Sequence, residues 1–247
     1  MPINKPYYRI YRPLLNKAMK PNDLYFEDER YANDRSMLCR SYKILENDLK
    51  VLFEYVEPCD NNLHTTSFRL YELLLRSCTE LETNCKRILE ANGYNLGSRP
   101  SMSDYCKVEY ATKLSEYEAV LDYWRPNRRV LKPFENWSTS QSLSWYQAYN
   151  QVKHDRQVNF EKACLDNVIN AVAGVLIILN SQFDFLTLTP YQANTFYFQI
   201  EGEVGGITFA ESLFEINKPE WADLNKYDFD WSNLKHSQEP FQQFNFQ

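Results

Sequence analysis

Apolar positions at three-and-four spacing recur along much of this chain, and that periodicity predicts helices. In SYKILENDLKVLFEYVE (41–57), Tyr42, Leu45, Leu49, Leu52, Phe53 and Val56 share one face, and PCDNN ends the run. The clearest segment is TTSFRLYELLLRSCTELETNCKRILEANGY, where Thr65, Thr66 and Ser67 offer caps and Asn92-Gly93 a stop. Its apolar face runs through Phe68, Tyr71, Leu74, Leu75, Cys78, Leu81, Cys85, Ile88 and Leu89. Balanced charges fill the other face, as expected of a solvated surface with i,i+4 pairs.

After a short helical stretch near 103–113 the period changes. SEYEAVLDYW alternates apolar and polar positions, RPNRR turns the chain and VLKPFENW returns it, so 115–136 reads as a β-hairpin inserted among helices. STSQSLSWYQAYNQVKH (138–154) is helical again. NFEKACLDNVINAVAGVLIILNSQF (159–183) follows as the longest apolar helix, with Asn159 as its expected N-cap. Beyond it, NTFYFQIEGE and GITFAESLFEI suggest short strands, and the final segment is rich in Trp, Tyr and Phe. So many exposed rings would form an adhesive patch, so the tail is expected to pack onto the body. The whole reads as a mainly α protein: an N-terminal arm (1–40), an antiparallel helical bundle (41–183) carrying the hairpin, and a C-terminal extension (184–247) of short strands and acidic aromatic tail.

Composition narrows the chemistry. Only six of 247 residues are glycine, and no GxGxxG or Walker-type run occurs, which weighs against dinucleotide and P-loop binding. The six cysteines are scattered, with no CxxC pair and no histidine at ligand spacing, so no metal site or cofactor is written in the sequence. Cys78 and Cys85 lie about 10 Å apart along one helix, beyond disulfide reach. Buried thiols in a reducing, cytoplasmic compartment are the expectation. The opening MPINKPYYRIYRPLL lacks a signal-peptide core, and the apolar run 171–179 is less than half of the ~20 residues a bilayer span needs. No membrane is expected. Residues 181–247 hold ten acids against three lysines, leaving residues 1–180 at +1, so no broad basic footprint marks a dedicated nucleic-acid binder. One local exception is the hairpin, where Arg125, Arg128, Arg129 and Lys132 sit beside Tyr123 and Trp124, a pairing suited to single-stranded nucleic acid.

The stretch YNQVKHDR (149–156) concentrates candidate chemistry: His154, one of three histidines, is flanked by Lys153, Asp155 and Arg156. On a continuous helix Trp145, Tyr149, Val152 and Arg156 share one stripe, whereas Asn150 and His154 face the other way with Gln147. Only a break near Asp155 would let His154 and Arg156 approach. A histidine in the last turn also suits a structural role, on terminal carbonyls and the helix dipole.

Two places in the chain resemble the HEPN superfamily, the helical domains of prokaryotic toxin, CRISPR and antiphage systems. They are the early helix with ELETNCKRIL (80–89), and YNQVKH followed by the apolar helix; the resemblance covers about 41–183. Ribonuclease members carry Arg, four to six residues and His, often as Arg-Asn-x-x-x-His. Asn150 and His154 match that frame, but Tyr149 stands at the Arg position. The resemblance implies a homodimer that juxtaposes two His154 sites and cleaves or engages RNA without metal. In that role His154 transfers a proton, Asn150 supports it, and Arg156 or Lys153 replaces the missing phosphate-binding charge. Against it stands a non-catalytic scaffold or protein-binding module, in which Trp145 and Tyr149 form an interface with a protein partner.

Overall fold

The most apolar segment organises the structure. In the computed structural model, which describes residues 3–15, 24–184, 195–200, 203–208 and 212–246, helix α7 (Leu165–Phe183) is buried along nearly its whole length. Helix α2 (Phe68–Ala91) packs along it, and α1 (Arg35–Phe53) and α5 (Ser144–His154) each pack against both. Each fully buried Val, Leu or Ile of α7 contributes about 1.5–3 kcal/mol, which makes this helix the chief source of cohesion. By length and composition α7 could cross a membrane, yet 83% of its apolar window is buried inside the protein. Its surface is therefore satisfied by the fold itself.

Local signals set most boundaries. The Ser67 hydroxyl accepts the Leu70 N–H at 3.1 Å and caps α2, and Gly93 (φ +75°) closes it while the Tyr94 N–H returns to the Leu89 carbonyl. Helix α1 begins at Arg35, six residues before the expected start, because Leu38 and Cys39 extend the buried stripe of Tyr42, Leu45 and Leu49. The face of α2 also differs from expectation in its first turns. Leu70 and Leu73 are buried, whereas Phe68 is 63% exposed and Tyr71 half-buried.

Helix α7 begins at Leu165, not near Asn159. Asp155 interrupts the helical path, and its carboxylate accepts the Val158 N–H at 3.2 Å to start a separate turn, α6 (Arg156–Asn159). Cys164 is then extended and bridges to Thr66, with the Leu165 N–H donating to the Thr65 carbonyl at 3.0 Å. This pairing anchors the entry of α7 to the entry of α2.

The hairpin forms as expected: β1 (Glu118–Leu121) pairs antiparallel with β2 (Arg129–Leu131), Ala119 opposite Leu131. It follows the short helices α3 (Met102–Tyr105) and α4 (Glu109–Thr112). The strands β3 (Thr195–Ile200) and β4 (Glu203–Thr208) pair antiparallel as a separate two-stranded sheet. β5 (Phe214–Asn217) joins the first sheet, antiparallel to β1 in the order β2-β1-β5. The protein is thus mainly helical with a small three-stranded antiparallel sheet. Parts of the expected arm (16–23) and the links 185–194, 201–202 and 209–211 lie outside the described residues.

Residues of the arm and of the aromatic tail pack against one another. Ile3 and Leu14 both bridge to Tyr227, Tyr7 bridges to Gln242, and the Tyr227 hydroxyl donates to the Ile10 carbonyl at 2.8 Å. Tyr25 sits among Phe26, Tyr31, Tyr227 and Phe229 with ring centroids 5.2–5.6 Å apart, edge to face. The short helix α8 (Trp231–Leu234) adds Trp231 to the same cluster.

Candidate functional site

Helix α5 presents two unlike faces. Trp145, Tyr146, Ala148, Tyr149 and Val152 are buried, while Gln147, Gln151, Lys153 and His154 are exposed and Asn150 lies between. Trp145 and Tyr149, expected at an interface with a partner, instead pack inside the protein at 3% and 2% exposure. The Trp145 indole N–H donates to the Pro133 carbonyl at 2.9 Å, and its ring lies so close to α7 that a Cβ on Gly174 would approach it to 3.2 Å. Tyr149 has a polar reason for its place. Its hydroxyl accepts from Lys153 Nζ at 2.8 Å, and the neighbouring Tyr146 hydroxyl donates to Glu82 Oε1 at 2.8 Å.

Burial holds both tyrosines in the neutral form. Tyr146 is raised above the usual phenol range by burial and then by its bond to Glu82; Tyr149 is raised by burial, partly offset by Lys153. The bond to Tyr149 raises the Lys153 ammonium, which therefore stays charged. The position where the resembled enzymes carry arginine is thus filled by a neutral, buried phenol with its own cation attached.

The helix breaks at Asp155, and the three basic side chains around it have different surroundings. Lys153 turns back to Tyr149. His154 is exposed and makes no hydrogen bond or ion pair among the described residues, so it does not serve the terminal carbonyls of α5. Arg156 stacks over the rings of Phe68 and Tyr71, 5.7 and 5.6 Å from their centroids, with no carboxylate in ion-pair range among the described residues. Asp155 is occupied by its capping bond. An exposed histidine and an arginine with no carboxylate partner among the described residues therefore flank one turn, with Asn150 one helical turn before the histidine.

The hairpin cations are differently placed. Arg125 pairs with Glu57 at 2.9 Å, Arg128 with Asp122 and Glu215, Arg129 with Asp60 and Asp166 at 3.0 Å each, and Lys132 with Glu118 at 2.8 Å. Trp124 is buried beneath the Arg129 guanidinium and donates its indole N–H to Asp60. Each cation expected to meet phosphate already has an internal carboxylate, and only Tyr123 keeps an exposed ring.

The apolar spacing of 68–91 assigned Phe68 and Tyr71 to the buried face of that helix. The structure gathers them beside Arg156, with the Phe68 and Phe160 centroids 5.0 Å apart. The available signal was the place of Phe68 directly after its Ser67 cap, at the first position of the helix. All six cysteines are free. Comparison with protein-family models, with curated proteins and with solved structures finds no match for this chain.

Proposed function

We propose that this chain is a HEPN-like helical protein of bacterial or phage conflict systems that acts in the cytoplasm, engaging RNA at the α5–α6 turn and cleaving it without metal. The observation that carries this role is the pair of exposed cationic or protonatable side chains at that turn, His154 and Arg156, neither engaged by a carboxylate among the described residues. In the proposed chemistry His154 takes the proton of a 2′-hydroxyl or returns one to the leaving 5′-oxygen, and Arg156 neutralises charge developing on the phosphate. Asn150 supports the same face, and Lys153 adds a nearby positive charge. The deciding experiment incubates purified protein with single-stranded and structured RNA in excess chelator. Cleavage by wild type that disappears in His154→Ala, with an unchanged circular-dichroism spectrum, is expected; equal cleavage by both proteins overturns the role.

A second function, a non-catalytic scaffold, is favoured by a different face. Met37, Ile44 and Val51 recur every seven residues on the outer side of α1 and are 61, 48 and 51% exposed. Antiparallel pairing of two such helices about Ile44 sets Met37 against Val51 of a second copy, with the Asp48 carboxylate beside them already held by Arg76 of its own chain. That self-complementary apolar stripe makes a homodimer the occupant of choice. A concentration-dependent dimer in analytical ultracentrifugation that Ile44→Asp dissociates, joined to an absence of nuclease activity, is the expected result for the scaffold.

A further inference from the structure

The aromatic cluster beside Arg156, with Phe68 exposed and Tyr71 and Phe160 partly buried, is unexplained by packing alone. Phe68 leaves most of its surface in water although the same helix buries Leu70, Leu73 and Leu74 completely. Exposing a phenylalanine to this degree forgoes much of the roughly 1.5–3 kcal/mol that its burial would contribute. Three rings, Phe68, Tyr71 and Phe160, adjoin one another with centroids 5.0 and 6.3 Å apart, and the Arg156 guanidinium lies over two of them.

The carboxylates nearest in sequence are all engaged: Glu72 with Arg69 at 3.1 Å, Asp155 with the Val158 N–H, and Glu161 with Lys162 at 3.9 Å. What remains unengaged at this surface is a flat apolar ring and a planar cation. The contrast with the hairpin is instructive, because there Trp124 is covered and every cation is paired.

We infer that Phe68, Tyr71, Phe160 and Arg156 form a stacking platform for an unpaired nucleobase of the RNA, resting on the RNA-engaging role proposed above. The base lies on the exposed Phe68 face or continues the ring–guanidinium stack, and the N–H edges of Arg156 meet the phosphate of the same strand. A stacked base is taken by its π-face, so the platform accepts any base but requires it to be unpaired. The substrate class is therefore single-stranded RNA, and a fully paired duplex is excluded because its bases present no free face.

The test uses full-length protein and a short fluorescein-labelled oligouridine whose 2′-oxygens are methylated, which removes the nucleophile and separates binding from cleavage. A second probe keeps the same phosphates but replaces the central bases by abasic positions. Fluorescence anisotropy is expected to show Phe68→Ala weakening binding by about tenfold, within the range one stacked base contributes. Phe68→Trp restores it, and the abasic probe binds wild type as weakly as the intact probe binds Phe68→Ala. Equal binding of both probes by wild type, or unchanged binding by Phe68→Ala, overturns the platform. Cleavage of unmodified RNA is measured in parallel. If His154-dependent cleavage persists while Phe68→Ala binds normally, the platform falls alone; if wild type neither binds nor cleaves RNA, the RNA role falls and the platform with it.

Discussion

Lys153 Nζ lies 2.8 Å from the Tyr149 hydroxyl, one turn apart on α5, so the cation nearest His154 in the chain is tied to the residue that replaces the expected arginine. Tyr149→Phe removes the acceptor but keeps the packed ring. Because Lys153 is exposed and can turn to water, the loss is confined to one charge-assisted hydrogen bond, about 1–2 kcal/mol in urea denaturation. Lys153→Met is expected to cost a similar amount, and the double variant no more than either alone. Additive losses would show that the two side chains do not act on each other.

The Trp145–Gly174 contact makes a second prediction. Trp145→Ala opens a cavity against α7 and is expected to lower stability by about 3–5 kcal/mol. Gly174→Val overfills the same space and costs about 1–3 kcal/mol in the wild-type background. In the Trp145→Ala background that cost should shrink, since the vacated volume receives the added methyls. Thermal and urea denaturation of the four proteins measure the coupling, and strict additivity would refute the close approach.

Glu46 is a fully buried carboxylate that ties α1 to the start of β5. It accepts from Lys43 Nζ at 2.7 Å, the Leu213 N–H at 2.8 Å, and the Tyr42 and Ser212 hydroxyls at 3.1 Å. Burial pushes its pKa up, but the bond from Lys43, the Leu213 N–H and the charges of Lys43 and Lys50 outweigh it and hold the carboxyl below its ordinary value. A depressed folded pKa means that the stabilisation is complete above the unfolded value of about 4.3 and is lost as pH falls through the lower native value. Glu46→Gln is expected to lose about 1.5–3 kcal/mol at pH 7. It should also flatten the decline of stability in acid, and urea titrations between neutral pH and pH 3 measure both. Parallel pH profiles for the two proteins would show that another carboxylate sets the acid limb.

The ion pairs of the hairpin predict a negative result with content. Arg125 and Arg128 are solvent-exposed partners of Glu57, Asp122 and Glu215, and solvent screening leaves exposed pairs of this kind with little effect on stability. Arg125→Gln combined with Arg128→Gln should leave stability nearly unchanged and RNA affinity unaltered, whereas Arg156→Gln weakens it. A salt-dependent loss of binding in the hairpin variant would return the nucleic-acid site to the hairpin.

Helix periods, the caps at Ser67 and Gly93, the β1–β2 hairpin and the buried character of α7 were legible in the sequence because each depends on residues close together in the chain. An alternating run needs no partner to be recognised as a strand, and a serine before an apolar run caps whatever helix follows. Asn150, His154 and Tyr149 were likewise visible as a motif. Their roles were not, since whether a side chain is free depends on what approaches it from elsewhere.

Residues far apart decided the rest. The neutralisation of the hairpin cations needed Glu57, Asp60, Asp166 and Glu215, which arrive from three other parts of the chain. Phe68 reads as one more core residue of an amphipathic helix, and only the packing of α2 against α7 and α1 rotates Leu70 and Leu73 inward and leaves Phe68 beside Arg156. By itself the sequence determined where helices and strands form, through local periodicity and capping chemistry. Tertiary structure alone decided which charges and rings stay unengaged, because burial and pairing are long-range properties set by the elements that meet at each surface.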